Sequence, residues 1–327
     1  MNSKRILVIF TGGTISMYTE SDTFKSVMSN STDNLKTIIE DAFSAIEFTF
    51  IQHTLMPSPF MTEHHMFKLA KLIDDKIKEL DLDGVVVTHG TDTIEETAYF
   101  LDLYLNTKTP VVLTGSMRNL SELGYDGLSN LASSVSVALA EESKNRGVLL
   151  VANDEINSAL EVTKTHTMAL DTFKSMEFGP LGIVDQQDVI YYREYTKTKH
   201  KLKITKLTKK VEIVKVYAGA DGKIINFLIE QKTDGIVLEA MGRGNVPPAM
   251  VPAIIRALEN NIPVIITSRC PKGRVRDSYN YEGGGFHLRK LGVLFAGNLN
   301  SQKARIKLML ALDYLDDLSK LTQYFEV

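Results

Sequence analysis

Three short segments of this 327-residue chain set hydroxyl groups beside glycines: Thr11-Gly12-Gly13-Thr14, Thr88-His89-Gly90-Thr91-Asp92-Thr93 and Thr114-Gly115-Ser116. A threonine hydroxyl is a weak nucleophile until a base removes its proton. A lysine whose pKa is depressed by burial can be that base. The candidate is Lys164, in Glu161-Val162-Thr163-Lys164-Thr165-His166, although spacing alone reads it as a surface lysine. The helix expected after Asp92 offers free backbone N–H groups that suit a carboxylate ligand. Asp92 itself also reads as a helix N-cap, and the Gly12-Gly13 turn also reads as tight geometry alone. Other chemistries find less support. Neither GxxxxGK[ST] nor GxGxxG spacing occurs, so nucleotide binding is not expected. His64 and His65 are adjacent on a helical stretch and no histidine pair has zinc spacing, so no metal site is expected. No GxSxG elbow is present.

These loops need a scaffold, and the apolar runs 6–10, 85–87, 111–113 and 148–151 supply one. Continuous rather than alternating hydrophobicity predicts strands covered on both faces, as in a parallel sheet. Between them, Phe67, Ala70, Ile73, Ile77 and Leu80 recur at helix spacing over 62–80. A second helix is predicted to start near Thr93, where Thr93 and Glu96 have capping-box spacing. In an open parallel sheet ligands bind outside the carboxyl ends of the strands, so the three loops should converge on one edge. The stretch 191–210 is rich in Lys, Thr and Tyr and reads as a surface crossover. Runs at 211–216, 236–238, 264–267 and 293–295 then resume the rhythm, with a helix starting near Pro247 and Pro248. The expected fold is α/β. A large N-terminal domain (1–190) with a mostly parallel sheet carries the catalytic loops. A linker (191–210) and a smaller C-terminal α/β domain (211–327) follow.

Composition agrees with a folded protein: 44% of residues are hydrophobic and 24% charged. The 37 Lys and Arg against 40 Asp and Glu give a net charge of −3, which offers no support for nucleic-acid binding. Cys270 is the single cysteine, so no internal disulfide can form. No apolar run reaches the roughly 18 residues that cross a membrane. The run 6–10 is shorter than the roughly 7–15 residues of a signal-peptide core, so a cytoplasmic location is expected.

The segments Thr11-Gly12-Gly13-Thr14-Ile15 and His89-Gly90-Thr91-Asp92-Thr93 resemble the two signature motifs of the bacterial L-asparaginase family, closest to its cytoplasmic type I branch. The likeness continues in order through 111–116, Thr163-Lys164, the Gly-x-Gly-Asn loop 242–245 and the segment 297–305. The resemblance implies hydrolysis of L-asparagine to aspartate and ammonia, with no metal or organic cofactor. It implies Thr14 as the nucleophile of a covalent acyl-enzyme. Thr91, Lys164 and Asp92 would form a second catalytic group, in which Lys164 and Thr91 handle protons. Asp92 would also bind the α-amino group, and Ser58 the α-carboxylate. Backbone N–H groups near Thr91 and Ser116 would help to stabilise the oxyanion. It further implies self-association as a dimer or tetramer, with Asn245 completing a neighbour's site. Two other classes share features with this reading. One is an asparaginase-like amidotransferase subunit, which carries an extra domain ahead of the first motif; here that motif begins at Thr11. The other is a non-catalytic amino-acid-binding protein.

Two departures from the family pattern bear on rate and specificity. The loop position that the family fills with a catalytic tyrosine is Phe24, and Pro59 and Phe60 replace acidic or amide residues after Ser58. Phe24 has no hydroxyl, and Tyr18, in the same loop as Thr14, is the candidate replacement, although it reads equally as a solvent-facing loop residue. Tyr18→Phe is expected to lower turnover by roughly 10²-fold, and Phe24→Tyr in that background to recover part of the loss. Turnover of Tyr18→Phe within about twofold of the parent would exclude Tyr18 from catalysis. Some cytoplasmic members also have a second asparagine site lined by an arginine. That slot reads Glu239, whose carboxylate would repel the effector's, so hyperbolic kinetics are expected and a Hill coefficient clearly above one would contradict them.

Overall fold

A computed structural model describes residues 3–19, 26–28, 32–195 and 200–325. Phe24 lies outside the described residues. The chain divides into two compact units, Met1–Lys201 and Leu202–Val327.

The first unit is built on an eight-stranded sheet. Its strands are β1 (Lys4–Gly12), β4 (Ile46–Met56), β5 (Gly84–Thr88), β6 (Val111–Thr114), β7 (Val148–Ala152), β8 (Glu155–Ser158), β11 (Gly182–Asp185) and β12 (Asp188–Tyr191). They lie in the order β12-β11-β8-β7-β6-β5-β1-β4. The five strands from β4 to β7 pair in parallel, and β8, β11 and β12 extend the sheet antiparallel. Two short hairpins sit outside it: β2 (Met17–Thr19) with β3 (Ser26–Met28), and β9 (Thr163–Lys164) with β10 (Phe173–Lys174).

The predicted burial on both faces is observed. Ile6, Val8 and Phe10 share a cluster with Val86, Val112, Leu131 and Val135, while the alternate residues Leu7 and Ile9 are equally buried. Helices α1 (Asp33–Ala42) and α4 (Gly127–Leu139) supply residues to that cluster. Helices α2 (Glu63–Leu80) and α3 (Ile94–Tyr104) pack together. Thr62 closes a capping box on α2 with His65 as the fourth residue, which gives one of the adjacent histidines a structural task. The box expected at α3 does not form. Thr93 is the N-cap residue, but its hydroxyl donates to the Ser58 carbonyl at 2.9 Å. Strand β4 is absent from the sequence expectation because its half-buried, mixed residues show neither a continuous run nor clean alternation.

After β1 the chain crosses to β4 on one side, then returns to β5 on the other. The strand order therefore reverses at the β1–β5 pair, where a crevice opens in a sheet of this kind. Phe10 pairs with Thr88, and Thr88 with Thr114, so the loops after β1, β5 and β6 leave the sheet at the same edge.

The second unit holds four parallel strands in chain order: β13 (Val211–Lys215), β14 (Gly235–Ala240), β15 (Val264–Ser268) and β16 (Leu294–Phe295). Its helices are α5 (Lys223–Glu230), α6 (Val251–Glu259), α7 (Gly285–Lys290), α8 (Ser301–Tyr314) and α9 (Thr322–Phe325). Helix α6 starts at Val251, after a 3-10 turn over Pro248–Met250. Glu239 accepts from the Ser301 hydroxyl at 2.6 Å and pairs with Lys215 at 2.7 Å. The stretch 191–210 differs from the expected surface crossover. Leu202, Ile204 and Leu207 are buried, an apolar spacing hidden among lysines and threonines. Among the described residues no helix is long and apolar enough to cross a membrane.

The edge where the loops leave the first sheet depends on one close backbone approach. Gly13 has φ +86°, and a Cβ there would lie 2.3 Å from the Gly90 Cα and 2.4 Å from its N. Gly179 has a similar φ of +73° with open space around it. Both Gly→Ala changes incur backbone strain of about 1–3 kcal/mol, but only Gly13→Ala must also force two backbones apart. Urea unfolding is expected to show Gly13→Ala the more destabilised by about 2 kcal/mol. Equal destabilisation would mean that the contact is not constraining.

Candidate active site

The Gly13–Gly90 contact is the first of a chain of close approaches that assembles the site. A Cβ on Gly90 would lie 2.6 Å from the Ser58 Cβ, and one on Gly115 would lie 2.5 Å from the His89 carbonyl oxygen. The loops after β1, β5 and β6 therefore touch through backbone, and Gly90 also meets the Ser58 side chain from the loop after β4, so no larger residue fits at these glycines. Hydrogen bonds hold the register. Thr11 Oγ1 donates to the Thr88 carbonyl at 2.8 Å, Gly13 N–H to Met56 at 3.1 Å, and His89 N–H to Thr114 at 2.8 Å.

Thr14, half-buried, opens a 3-10 turn over Thr14–Ser16. The Tyr125 hydroxyl donates to the Ile15 carbonyl in that turn at 2.8 Å. Burial raises the Tyr125 pKa well above that of an ordinary phenol, so it stays a donor. On the facing loop Thr91 is buried and Asp92 exposed. Lys164 reaches both: its Nζ donates to Thr91 Oγ1 at 3.0 Å and to Asp92 Oδ1 at 2.7 Å. Only 17% of the Lys164 side chain is exposed, so spacing alone misread it as a surface residue. Lys164 sits on β9, which a two-residue pairing with β10 holds in place. Its partners lie more than 70 residues earlier in the chain, beyond the reach of any local pattern. Asp92 is not the N-cap of α3, since Thr93 occupies that position.

Ser58 begins a 3-10 turn after Pro57, and its hydroxyl accepts from the Asp92 N–H at 3.2 Å. Ser116 is buried and donates to the Arg118 carbonyl at 2.7 Å. Three supporting side chains were not read from the sequence. Asp126 accepts from the N–H groups of Met117 and Arg118, both at 3.0 Å. Asn130 donates to the Gly115 carbonyl at 2.9 Å and accepts from the Asn153 N–H at 2.8 Å. The third is Tyr125. The i, i+4 spacing of Asp126 and Asn130 at the start of a helix was the available signal. Tyr18 lies on β2 opposite Val27 and is 43% exposed. Asn245 belongs to the second unit, where its Oδ1 accepts from the Gly285 N–H at 3.2 Å.

Residues 5–197 match the family model described as asparaginase, N-terminal, and residues 210–325 match the glutaminase/asparaginase C-terminal domain. The L-asparaginase of Bacillus licheniformis is 36% identical over 314 residues, covering 95% of this chain and 96% of the relative. A probable periplasmic L-asparaginase of Haemophilus influenzae is 36% identical over 329 residues, 98% of this chain and 92% of the relative. The crystal structure of a probable cytoplasmic L-asparaginase from Campylobacter jejuni superposes with a TM-score of 0.90 at 34% identity. It covers 98% of this chain and 99% of that one.

His89 links the site to stability. It is fully buried, and desolvation lowers its pKa from 6.5 to about 4. The unfolded chain therefore binds a proton more readily. The stability held by the neutral ring is complete above pH 6.5 and is lost as pH falls toward 4. The loss contributed by this one group is about 3 kcal/mol. Urea unfolding between pH 7 and pH 4 should show this slope in the parent and a shallower one in His89→Gln. An unchanged slope in the variant would contradict the assignment.

Proposed function

The chain belongs to the asparaginase family, and on that premise we propose that it hydrolyses L-asparagine to L-aspartate and ammonia through an acyl-enzyme on Thr14. The observation that carries this reading is the Lys164–Thr91–Asp92 cluster, on a loop packed by backbone against the loop that bears Thr14. Thr14 Oγ attacks the side-chain amide carbon, and its proton goes to the departing nitrogen, which leaves as ammonia. Water then cleaves the Thr14 ester and releases aspartate. Lys164 Nζ, 3.0 Å from Thr91 Oγ1, and the Thr91 hydroxyl handle the protons at the reacting centre. Asp92 balances the charge on Lys164 and receives the substrate's α-ammonium group. Ser58 binds the α-carboxylate. The N–H groups of Thr91 and Ser116 face the developing oxyanion. Tyr18 brings a phenol to the nucleophile from the β2–β3 hairpin, in place of the hydroxyl that Phe24 lacks.

The working form is a homo-oligomer in which Asn245 completes a neighbour's site. The cytoplasm is the proposed compartment, supported by the name of the Campylobacter jejuni structure.

Purified protein is expected to release ammonia from asparagine. Thr14→Ala should lower turnover by at least about 10⁴-fold with unfolding unchanged, and Lys164→Met by a comparable factor. The double variant should be little worse than either single one, because groups acting as a unit are not additive. Substantial turnover in Thr14→Ala would refute the nucleophile. Binding of asparagine without ammonia release in the parent would favour an amino-acid-binding protein.

A further inference from the structure

We propose that His89 and Thr97 form a buried positioning pair that aims the Thr91 N–H into the oxyanion site. This deepens the reading above and rests on it.

Both side chains are completely buried. His89 Nδ1 lies 2.8 Å from the Gly90 carbonyl oxygen, and Nε2 lies 2.9 Å from Thr97 Oγ1. A carbonyl only accepts, so Nδ1 carries the proton. The Nε2 lone pair then accepts from the Thr97 hydroxyl. One neutral tautomer satisfies both contacts: the Gly90 carbonyl selects it, and the Thr97 hydroxyl ties its free nitrogen to α3. Burial keeps the ring neutral, with a pKa of about 4, so the arrangement persists across the physiological range.

The consequence lies in the peptide that the ring holds. A trans peptide is planar, and its N–H points opposite its C=O. Fixing the Gly90 carbonyl toward His89 therefore fixes the Thr91 N–H in the opposite direction. Among the described residues that N–H has no hydrogen-bond acceptor. The preceding His89–Gly90 peptide and the Gly90 Cα are packed against Gly13, next to Thr14. Gly90 has no side chain to limit its rotation, so the carbonyl's orientation needs an outside anchor. Thr97 lies one turn into α3, whose residues are almost all buried, so that anchor is a rigid element. His89 and Thr97 touch no reacting atom in this account, and they act through the peptide alone.

The pair can be separated by Thr97→Val, which keeps the shape and removes the hydroxyl. Nε2 then loses its bond to α3, and the ring that holds the Gly90 carbonyl is no longer anchored. Because the lost term stabilises developing charge rather than bound substrate, kcat should fall by about 10-fold or more while KM stays within about threefold. Thr97→Ser should recover most of kcat. Nitrogen-15 imidazole shifts should report the Nδ1–H tautomer in the parent and in Thr97→Ser from pH 8 to pH 5, with Nε2 hydrogen-bonded in both and not in Thr97→Val. The spectrum does not depend on turnover, so failure of the asparaginase reading would leave it unchanged. An Nε2–H tautomer in the parent would overturn the proposal even if Thr97→Val fails to fold. So would a folded Thr97→Val that has lost the Nε2 hydrogen bond yet keeps kcat within about twofold of the parent, or a folded Thr97→Ser that recovers no activity.

Discussion

The close approach of Gly13 to Gly90 is the constraint on which the site depends. Two loops leave neighbouring strands β1 and β5 at the point where the strand order reverses, and there they should diverge. Instead their backbones meet with no room for a single methyl group. That contact brings the hydroxyl of Thr14 to a loop carrying Thr91 and Asp92. The next contact, Gly90 on Ser58, adds the loop after β4. These loops carry the residues proposed as nucleophile, Thr14, as proton carrier, Thr91, and as clamp for a zwitterionic end, Asp92 and Ser58. The sheet beneath supplies rigidity, because β1, β5 and β6 are buried on both faces and their ends are in register.

Electrostatics follow from that assembly. Lys164 is brought in from a separate hairpin and finds both a carboxylate and a hydroxyl. A partly exposed pair of this kind contributes little to stability, typically about 0–1 kcal/mol. Its value is chemical: the carboxylate fixes the amine beside the group whose proton must move. The neutral imidazole of His89 lies on the far side of the same loop and adds no charge to it. Asp92 on this loop and Lys164 on the β9–β10 hairpin form the ion pair at the site.

Much of the framework is legible in the residues. The runs at 6–10, 85–87, 111–113 and 148–151 are strands because they are apolar on both faces, and their hydroxyl-rich ends mark the binding edge. Edge and long-range features are harder to read. Strand β4 has one flank without a neighbouring strand and a mixed pattern to match. Thr93 has the spacing of a capping box, but the Ser58 carbonyl takes its hydroxyl, and that carbonyl lies 35 residues away. Lys164 looks like any surface lysine until the fold brings it to Asp92. The burial of Leu202, Ile204 and Leu207 is concealed by the polar residues between them. In each case the deciding partner is distant in sequence, and no local pattern encodes it.

The most direct test is a crystal structure of the protein soaked with L-aspartate, the proposed product. The account places the β-carboxylate of the ligand between Thr14 Oγ1 and the Thr91–Lys164 pair. One β-carboxylate oxygen should lie within hydrogen-bond distance of the Thr91 N–H, the α-ammonium at Asp92 and the α-carboxylate at Ser58. A ligand seated at this edge with its β-carboxylate turned away from Thr14, or bound at another place in the fold, would contradict it.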